Sequence, residues 1–282
     1  MKTVCSINDT RDYLCSARAQ GRSVAFVPTM GNLHDGHLSL VRKAQELADE
    51  CVVSIYVNQL QFGPGEDYGS YPRTLEEDQA LLAARGVQLV FAPSSREIYP
   101  EGAERHTVVR VDALDGMHCG KSRPGFFTGI ATVVTRLFGI IQPDYAVFGE
   151  KDFQQLCVIR KMVNDLMLPV EVVGAPTVRA ENGLALSSRN GYLSEEGKQT
   201  AAILYQTLGA AREAIVAGDR SYDVLRYDAL ARLARAGFTP DYFNIVNRHT
   251  LQPATPADNE LVILAAAALG STRLIDNIQI DL

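Results

Sequence analysis

Up to about residue 178, short apolar runs alternate with stretches of helical periodicity. The runs are Val24–Val27, Val52–Val57, Val87–Phe91, Tyr145–Phe148 and Val170–Val173. They are of strand length and show little polar alternation, which suits strands covered on both faces of a parallel sheet. Between them, apolar positions recur at helical spacing. Leu40, Ala44, Leu47 and Ala48 form one stripe, Leu75–Ala84 and Thr128–Ile141 two more, and Leu156, Ile159, Val163 and Leu166 a fourth. Alternating strands and helices predict an α/β domain built on a doubly wound parallel sheet over residues 1–178, with its ligand at the carboxyl ends of the strands. No G-x-G-x-x-G follows the first strand and no Walker lysine loop occurs, so this is not the usual dinucleotide or P-loop version.

The rhythm changes after Val178. Ser194 followed by Glu195 and Glu196 predicts an N-cap with an acidic first turn. Ala201, Leu204, Leu208, Ala211 and Ile215 then mark one long amphipathic helix ended by Gly218. A second helix carries Leu225, Ala229, Leu233 and Ala236 and stops at Gly237. Tyr242–Val246, Glu260–Ala267 and Arg273–Ile280 read as antiparallel strands, the last two joined through Gly270-Ser271. The expectation is a smaller α+β domain over residues 179–282, placed to act as a lid.

Composition narrows the function classes. An apolar fraction of 46% in 282 residues supports a sizeable core, and 21% charged residues do not fit a disordered chain. A net charge of −6 argues against non-specific nucleic-acid binding, which needs a basic face. Cys5, Cys15, Cys51, Cys119 and Cys157 contain no C-x-x-C pair and are odd in number, which fits a reducing cytoplasm better than a disulfide framework. The first residues lack a signal-peptide apolar core, and the run Leu261 to Leu269 is too short to span a bilayer. The expected setting is cytoplasmic, with small-molecule partners and neither nucleic acid nor membrane.

The densest chemistry lies in Pro28-Thr29-Met30-Gly31-Asn32-Leu33-His34-Asp35-Gly36-His37, where a strand gives way to a helix. Helix N-termini attract phosphate because their first N–H groups lack partners and the helix dipole is positive there. Two imidazoles and a glycine at such a junction suit a nucleoside triphosphate. The pair is also open to reading as helix-capping histidines with no further role, or as zinc ligands. The zinc reading needs a third ligand, and His106, His118 and His249 are scattered singly.

Four further segments fall where this fold holds ligands. Asn58 and Gln61 follow a buried strand and offer neutral amides to hydroxyl or carboxylate groups; a strand-exit turn capped by amides is the alternative. Lys151 opens a helix, where a cation opposes the dipole unless an anion meets it, and Asp152 and Gln155 share its face; Asp152 as a simple N-cap is the alternative. Ser187, Ser188 and Arg189 match the donors that surround a departing pyrophosphate, or else form a polar hinge. Arg123, in a turn before a helix, fits phosphate contact and loop stabilisation equally.

Taken together, Pro28-Thr29-Met30-Gly31…His34-Asp35-Gly36-His37, Tyr56-Val57-Asn58…Gln61-Phe62-Gly63, Tyr71-Pro72-Arg73-Thr74, Arg123-Pro124-Gly125, Phe148-Gly149-Glu150-Lys151-Asp152-Phe153-Gln154-Gln155 and Leu186-Ser187-Ser188-Arg189-Asn190 stand in the order and spacing of one family. The chain resembles the pantoate–β-alanine ligases, within the wider HxGH nucleotidyltransferases, along most of its length. The resemblance implies a Rossmann-like fold of the HxGH type, a homodimer, and ATP used as a substrate with Mg²⁺. It implies ligation of (R)-pantoate and β-alanine to pantothenate through a pantoyl adenylate, with release of AMP and pyrophosphate. It assigns catalysis to His37, His34, Lys151, Ser187, Ser188 and Arg189. ATP binding falls to these residues together with Pro28, Met30, Gly31, Phe148, Gly149, Asp152 and Val178. Pantoate falls to Asn58, Gln61 and Gln155. No resident metal site is expected, and Glu77 or Asp78 are the nearest carboxylates to an ATP-borne Mg²⁺.

Three positions depart from the family pattern. Asp35 replaces a commoner Glu, Gln59 replaces a usual Pro and leaves its loop less rigid, and Phe126 stands where His is common. None removes a group the chemistry needs. Two competing readings remain. An adenylyltransferase for a phosphorylated acceptor needs a second basic cluster, whereas Asn58, Gln61 and Gln155 are neutral. A silent nucleotide-binding regulator has no need of both His37 and Lys151.

Overall fold

Each of the five apolar runs overlaps a strand of one parallel sheet in the computed structural model, which describes residues Met1–Leu282; Tyr56, Val57, Val87, Gln88 and Val170 fall just outside the strands. The chain divides into two compact units. The first comprises Met1–Gly116, Arg123–Glu150 and Gln154–Pro176, and the second Met117–Ser122, Lys151–Phe153 and Thr177–Leu282. A single cut after 178 has no counterpart for the two short segments that join the second unit.

The first unit opens with β1 (Lys2–Val4), α1 (Ile7–Ala19), β2 (Val24–Thr29), α2 (Asp35–Leu47) and β3 (Glu50–Ile55). Next come α3 (Leu75–Ala84), β4 (Leu89–Phe91) and the short α4 (Ser95–Ile98) and α5 (Asp112–Asp115). The strap α6 (Cys119–Ser122) belongs to the second unit. After it follow α7 (Phe126–Ile141), β5 (Tyr145–Gly149), α8 (Phe153–Asp165) and β6 (Glu171–Ala175). The sheet order is β1-β4-β3-β2-β5-β6, parallel throughout. From β2 the chain winds outward through β3 and β4, then returns to the other side of β2 with β5 and β6. The order therefore reverses between β2 and β5, and such a switch point leaves a crevice at the strands' carboxyl ends.

Strand periodicity divides the core between the two faces. Ala25 and Val27 pack with Leu38, Val41 and Ala44 of α2, whereas Phe26 meets Phe138 of α7 edge-on at 6.4 Å. Most of α7 is buried, so its apolar residues extend around the helix rather than forming one stripe. β3 starts at Glu50, two residues before the apolar run predicted it. The fully buried Glu50 carboxylate accepts from Tyr13 and pairs with Arg22, and so behaves as an interior residue.

The second unit contains α9 (Glu195–Ala201), α10 (Ile203–Val216), α11 (Tyr222–Arg235), β7 (Phe238–Asn247), β8 (Glu260–Leu269) and β9 (Thr272–Asp281). The single long helix predicted through Ala201–Ile215 is interrupted at Ala202. This residue keeps right-handed helical dihedrals (φ −63°, ψ −21°), so Leu204 and Leu208 stay in the same buried stripe as Ala201. The three strands form an antiparallel sheet in the order β7-β8-β9. Phe243 and Ile245 of β7 join Leu204, Leu208 and Leu233 in the core. The alternate residues of β7 take the strap. Asn244 donates to His118 at 2.9 Å, and the Cys119 thiol lies 3.0 Å from the Tyr242 hydroxyl. A register shift between Pro240 and Tyr242 frees Asp241, which accepts from Ser122 at 2.7 Å and Arg273 at 2.7 Å.

Candidate active site

The histidine turn fills the carboxyl end of β2, at the switch point. Gly31 (φ +83°) and Asn32 (φ +52°) take left-handed conformations that reverse the chain between Thr29 and α2. His34 is the N-cap of α2, and its Nδ1 accepts from the Gly36 N–H at 3.1 Å. His37 completes a capping box, its Nδ1 accepting from the His34 N–H at 3.4 Å. In both rings Nδ1 is the acceptor, so the proton of a neutral imidazole sits on Nε2. The rings lie 4.1 Å apart at 46°. The turn thus presents two imidazole N–H donors on a helix N-terminus, an arrangement suited to polyphosphate.

Asp78 holds this turn from beneath. Its carboxylate, 1% exposed, accepts from the N–H groups of Asn32 at 2.9 Å and Leu33 at 2.8 Å and from the Thr74 hydroxyl at 3.2 Å. A Cβ on Gly31 would lie 2.9 Å from Asp78 Oδ2. Asp78 is therefore engaged with backbone and is not a metal carboxylate. Glu77 is exposed on α3, and no group of three His, Cys, Asp or Glu side chains in the chain could hold a metal ion.

Beside the turn, Asn58 and Gln61 flank a single 3-10 turn, Gln59–Gln61, after β3. Asn58 is 1% exposed and its amide is used within the protein. It donates to Gln61 Oε1 and the Gly129 carbonyl, both at 3.1 Å, and accepts from the Tyr99 hydroxyl at 3.1 Å. This is the amide-capped turn of the alternative reading, and Asn58 acts as its internal brace. Gln61 extends instead toward the histidine turn, with Nε2 3.0 Å from Met30 Sδ. Gly129 makes the arrangement possible, because a Cβ there would sit 2.2 Å from the Leu60 carbonyl oxygen. Pro28, half-buried, pairs in register with Ser54 of β3.

Arg123 pairs with Glu66 through Nε at 2.7 Å and lies over the Phe126 ring at 3.5 Å. Its Nη2 also donates to the Gln61 carbonyl at 3.2 Å. The loop-stabilising reading of Arg123 is the one realised. Phe126, where His is common, serves as the platform for the guanidinium.

Phe148 turns its side chain into the core, 4% exposed and 6.5 Å from Phe138, so only its backbone borders the crevice. β5 ends at Gly149, and a 3-10 turn, Glu150–Asp152, separates it from α8. Lys151 therefore precedes the helix rather than opening it, with Nζ 4.0 Å from Asp152 Oδ2. Gln155 is half-buried in the first turn of α8.

Within the second unit, Val178 and the Ser187–Arg189 segment are brought together. The Leu186 N–H donates to the Val178 carbonyl at 3.0 Å, and Arg179 pairs antiparallel with Ala185. Ser187 caps a short 3-10 turn, Ser188–Tyr192, its hydroxyl accepting from the Arg189 N–H at 3.3 Å. Tyr99, Glu66, Asp276 and Asn277, which the sequence motifs did not mark, are supports, and so are Asp78 and Gly129. Asp78 follows the Tyr-Pro-Arg-Thr motif by four residues and could have been found there as a capping-type carboxylate.

A parallel sheet with a histidine-capped helix at its switch point defines the class, an α/β enzyme of the HxGH type. The family model described as Pantoate-beta-alanine ligase matches residues 2–279, and the chain belongs to that family of ligases. A pantothenate synthetase of Marinobacter nauticus is 57% identical over 280 residues, covering 99% of each chain. The crystal structure of pantothenate synthetase from Thermus thermophilus superposes with a TM-score of 0.92 at 48% identity, covering 99% of each chain. A pantoate–β-alanine ligase from Francisella tularensis, complexed with β-γ ATP and β-alanine, has a TM-score of 0.80 at 33% identity. It covers 99% of this chain and 97% of that one. The family's activity is pantothenate formation from pantoate and β-alanine.

Proposed function

We propose that the chain joins pantoate to β-alanine in two half-reactions on ATP. A pantoate carboxylate oxygen attacks the α-phosphorus, the bond to the bridging oxygen breaks, and pyrophosphate leaves. The β-alanine amine then attacks the acyl carbon of the pantoyl adenylate, the acyl C–O bond breaks, and AMP leaves. The proton lost from nitrogen passes to solvent.

The carrying observation is the histidine turn. His34 and His37 both have Nδ1 occupied by backbone N–H, which makes Nε2 the N–H donor of each ring at a helix N-terminus. Charge grows on the α-phosphoryl oxygens and on pyrophosphate as the first step proceeds. Fixed donors and cations stabilise that change without a protein nucleophile. His37 and His34 serve the phosphates from the first unit. Lys151, Ser187, Ser188 and Arg189 serve them as well. Gln61 receives pantoate from the turn braced by Asn58, and Gln155 from the first turn of α8. Backbone at Met30, Gly31, Gly149 and Val178, with Asp152, receives the nucleoside. Mg²⁺ arrives as part of the ATP complex.

The test is pyrophosphate release with ATP, Mg²⁺ and D-pantoate, with and without β-alanine. The proposal expects pantoate-dependent pyrophosphate, with AMP and pantothenate turning over only when β-alanine is present. AMP formed in a single step that requires β-alanine from the start, with no adenylate, overturns the two-step reading.

A further inference from the structure

Asp276 and Asn277 of β9 lie far along the chain from every motif residue, yet two of those motifs rest on them. The Asp276 carboxylate side chain is 3% exposed and receives Arg179 in a bidentate pair, Nη1 at 2.6 Å and Nη2 at 2.9 Å. The same guanidinium lies over the Tyr205 ring at 3.6 Å and donates to the Gly183 carbonyl at 3.1 Å. Arg179 therefore ties the tip of the hairpin that leads from Val178 to Ser187 to Asp276 of β9. Asp276 Oδ1 also accepts the Asn277 N–H at 2.8 Å, and the Asn277 side-chain amide donates to the Lys151 carbonyl at 2.9 Å.

A buried ion pair is a costly way to gain stability, because two charges must leave water. A packed apolar pair would serve a merely structural role as well. What the ion pair supplies here is direction. One planar fork sets the hairpin before Ser187, and the carboxylate it grips orients the residue that holds Lys151.

We propose that Arg179, Asp276 and Asn277 form a positioning network for phosphate binding, with Asn277 acting through Lys151. The proposal rests on the reading above, in which Lys151 meets ATP phosphate. It does not make Asn277 a catalytic residue. Asn277 fixes the backbone from which the lysine reaches, in a turn of three residues whose own ladder is short.

The experiment is a double-mutant cycle on the full-length enzyme, reading kcat for pantoate-dependent pyrophosphate release together with KM for pantoate. The variants are Asn277→Ala, Lys151→Ala and the pair. Thermal melts establish that each is folded. In the wild-type background Asn277→Ala should lower kcat by about tenfold, the scale of one lost hydrogen bond, with KM for pantoate unchanged. In the Lys151→Ala background the same substitution should cost nothing further, because its effect is transmitted by that lysine. Asn277→Gln, which keeps a longer amide, should recover part of the loss. Equal losses in both backgrounds, or a folded Asn277→Ala enzyme with wild-type kcat, overturn the network. Wild-type enzyme that releases no pantoate-dependent pyrophosphate overturns the parent reading, and the network falls with it.

Discussion

The histidine turn and the Ser187–Arg189 turn carry the same kind of chemistry but are built on different principles. In the first, each imidazole is oriented by a backbone N–H two or three residues away. Its distant support Asp78 lies 45 residues from Leu33. The second begins with an equally local cap at Ser187, yet the hairpin before it depends on Arg179 meeting Asp276 across 97 residues. Lys151 depends on Asn277 across 126. A locally built turn can form as soon as its helix does. A remotely built one waits for the whole second unit to fold.

Substitutions that attack one region should leave the other intact. His37→Ala removes a donor and one half of the capping box, and should lower pyrophosphate release by about 10²–10³-fold with only a modest fall in Tm. A variant with near-normal turnover would show that the histidine turn is not the phosphate grip. Asp78→Ala strikes the same turn through its support. Two buried N–H groups lose their acceptor, which should cost about 1–3 kcal/mol of stability and lower kcat by about tenfold or more. Melting curves and steady-state rates measured together would separate the two effects.

Gly183→Ala tests the other region. Gly183 has φ +92°, and an added Cβ would lie 2.8 Å from Tyr205 Cδ1, so the hairpin must shift. The strain is about 1–2 kcal/mol, read as a lower Tm with a smaller rate loss than Asp78→Ala gives. A larger rate loss would reverse the ranking of the two supports. The smallest effect belongs to neither region. Burial, then the hydrogen bond to Glu50, pushes the Tyr13 phenol up to about 12. The fold favours the protonated phenol, so this contribution is fully present below pH 10 and is lost as pH rises toward 12. Tyr13→Phe should flatten the fall in Tm across that window while leaving pyrophosphate release unchanged.

What could be read from the sequence follows the same division. Continuous apolar runs located β2 to β5, the four inner strands, because a two-sided parallel strand needs them, and also the edge strand β6. β1 is only three residues long, and α1 buries only Thr10, Leu14 and Ala17, so neither carries a strong pattern. The histidine turn was visible because its parts are adjacent in sequence. Asn58 was visible as a position, but its buried brace, Tyr99 and the Gly129 carbonyl, is distant in the chain. Arg123 offered two equal uses until Glu66 and Phe126 were seen beside it. Asp276 and Asn277 could not be found at all, since a carboxylate in the middle of a strand looks like any outward-facing residue until its partner is known.

The Met117–Ser122 strap bears on how such a protein can be dissected. The chain passes between its units after residues 116, 122, 150, 153 and 176, so the carboxy-terminal unit is not a contiguous cassette. A gene fragment beginning at Thr177 would express β7 without the thiol that meets Tyr242, the hydroxyl that meets Asp241 and the imidazole that meets Asn244. Chimeras that exchange the two units between relatives at one crossover would strand these groups on the wrong parent. A viable exchange has to carry the strap and the Lys151–Phe153 segment along with the carboxy-terminal sequence.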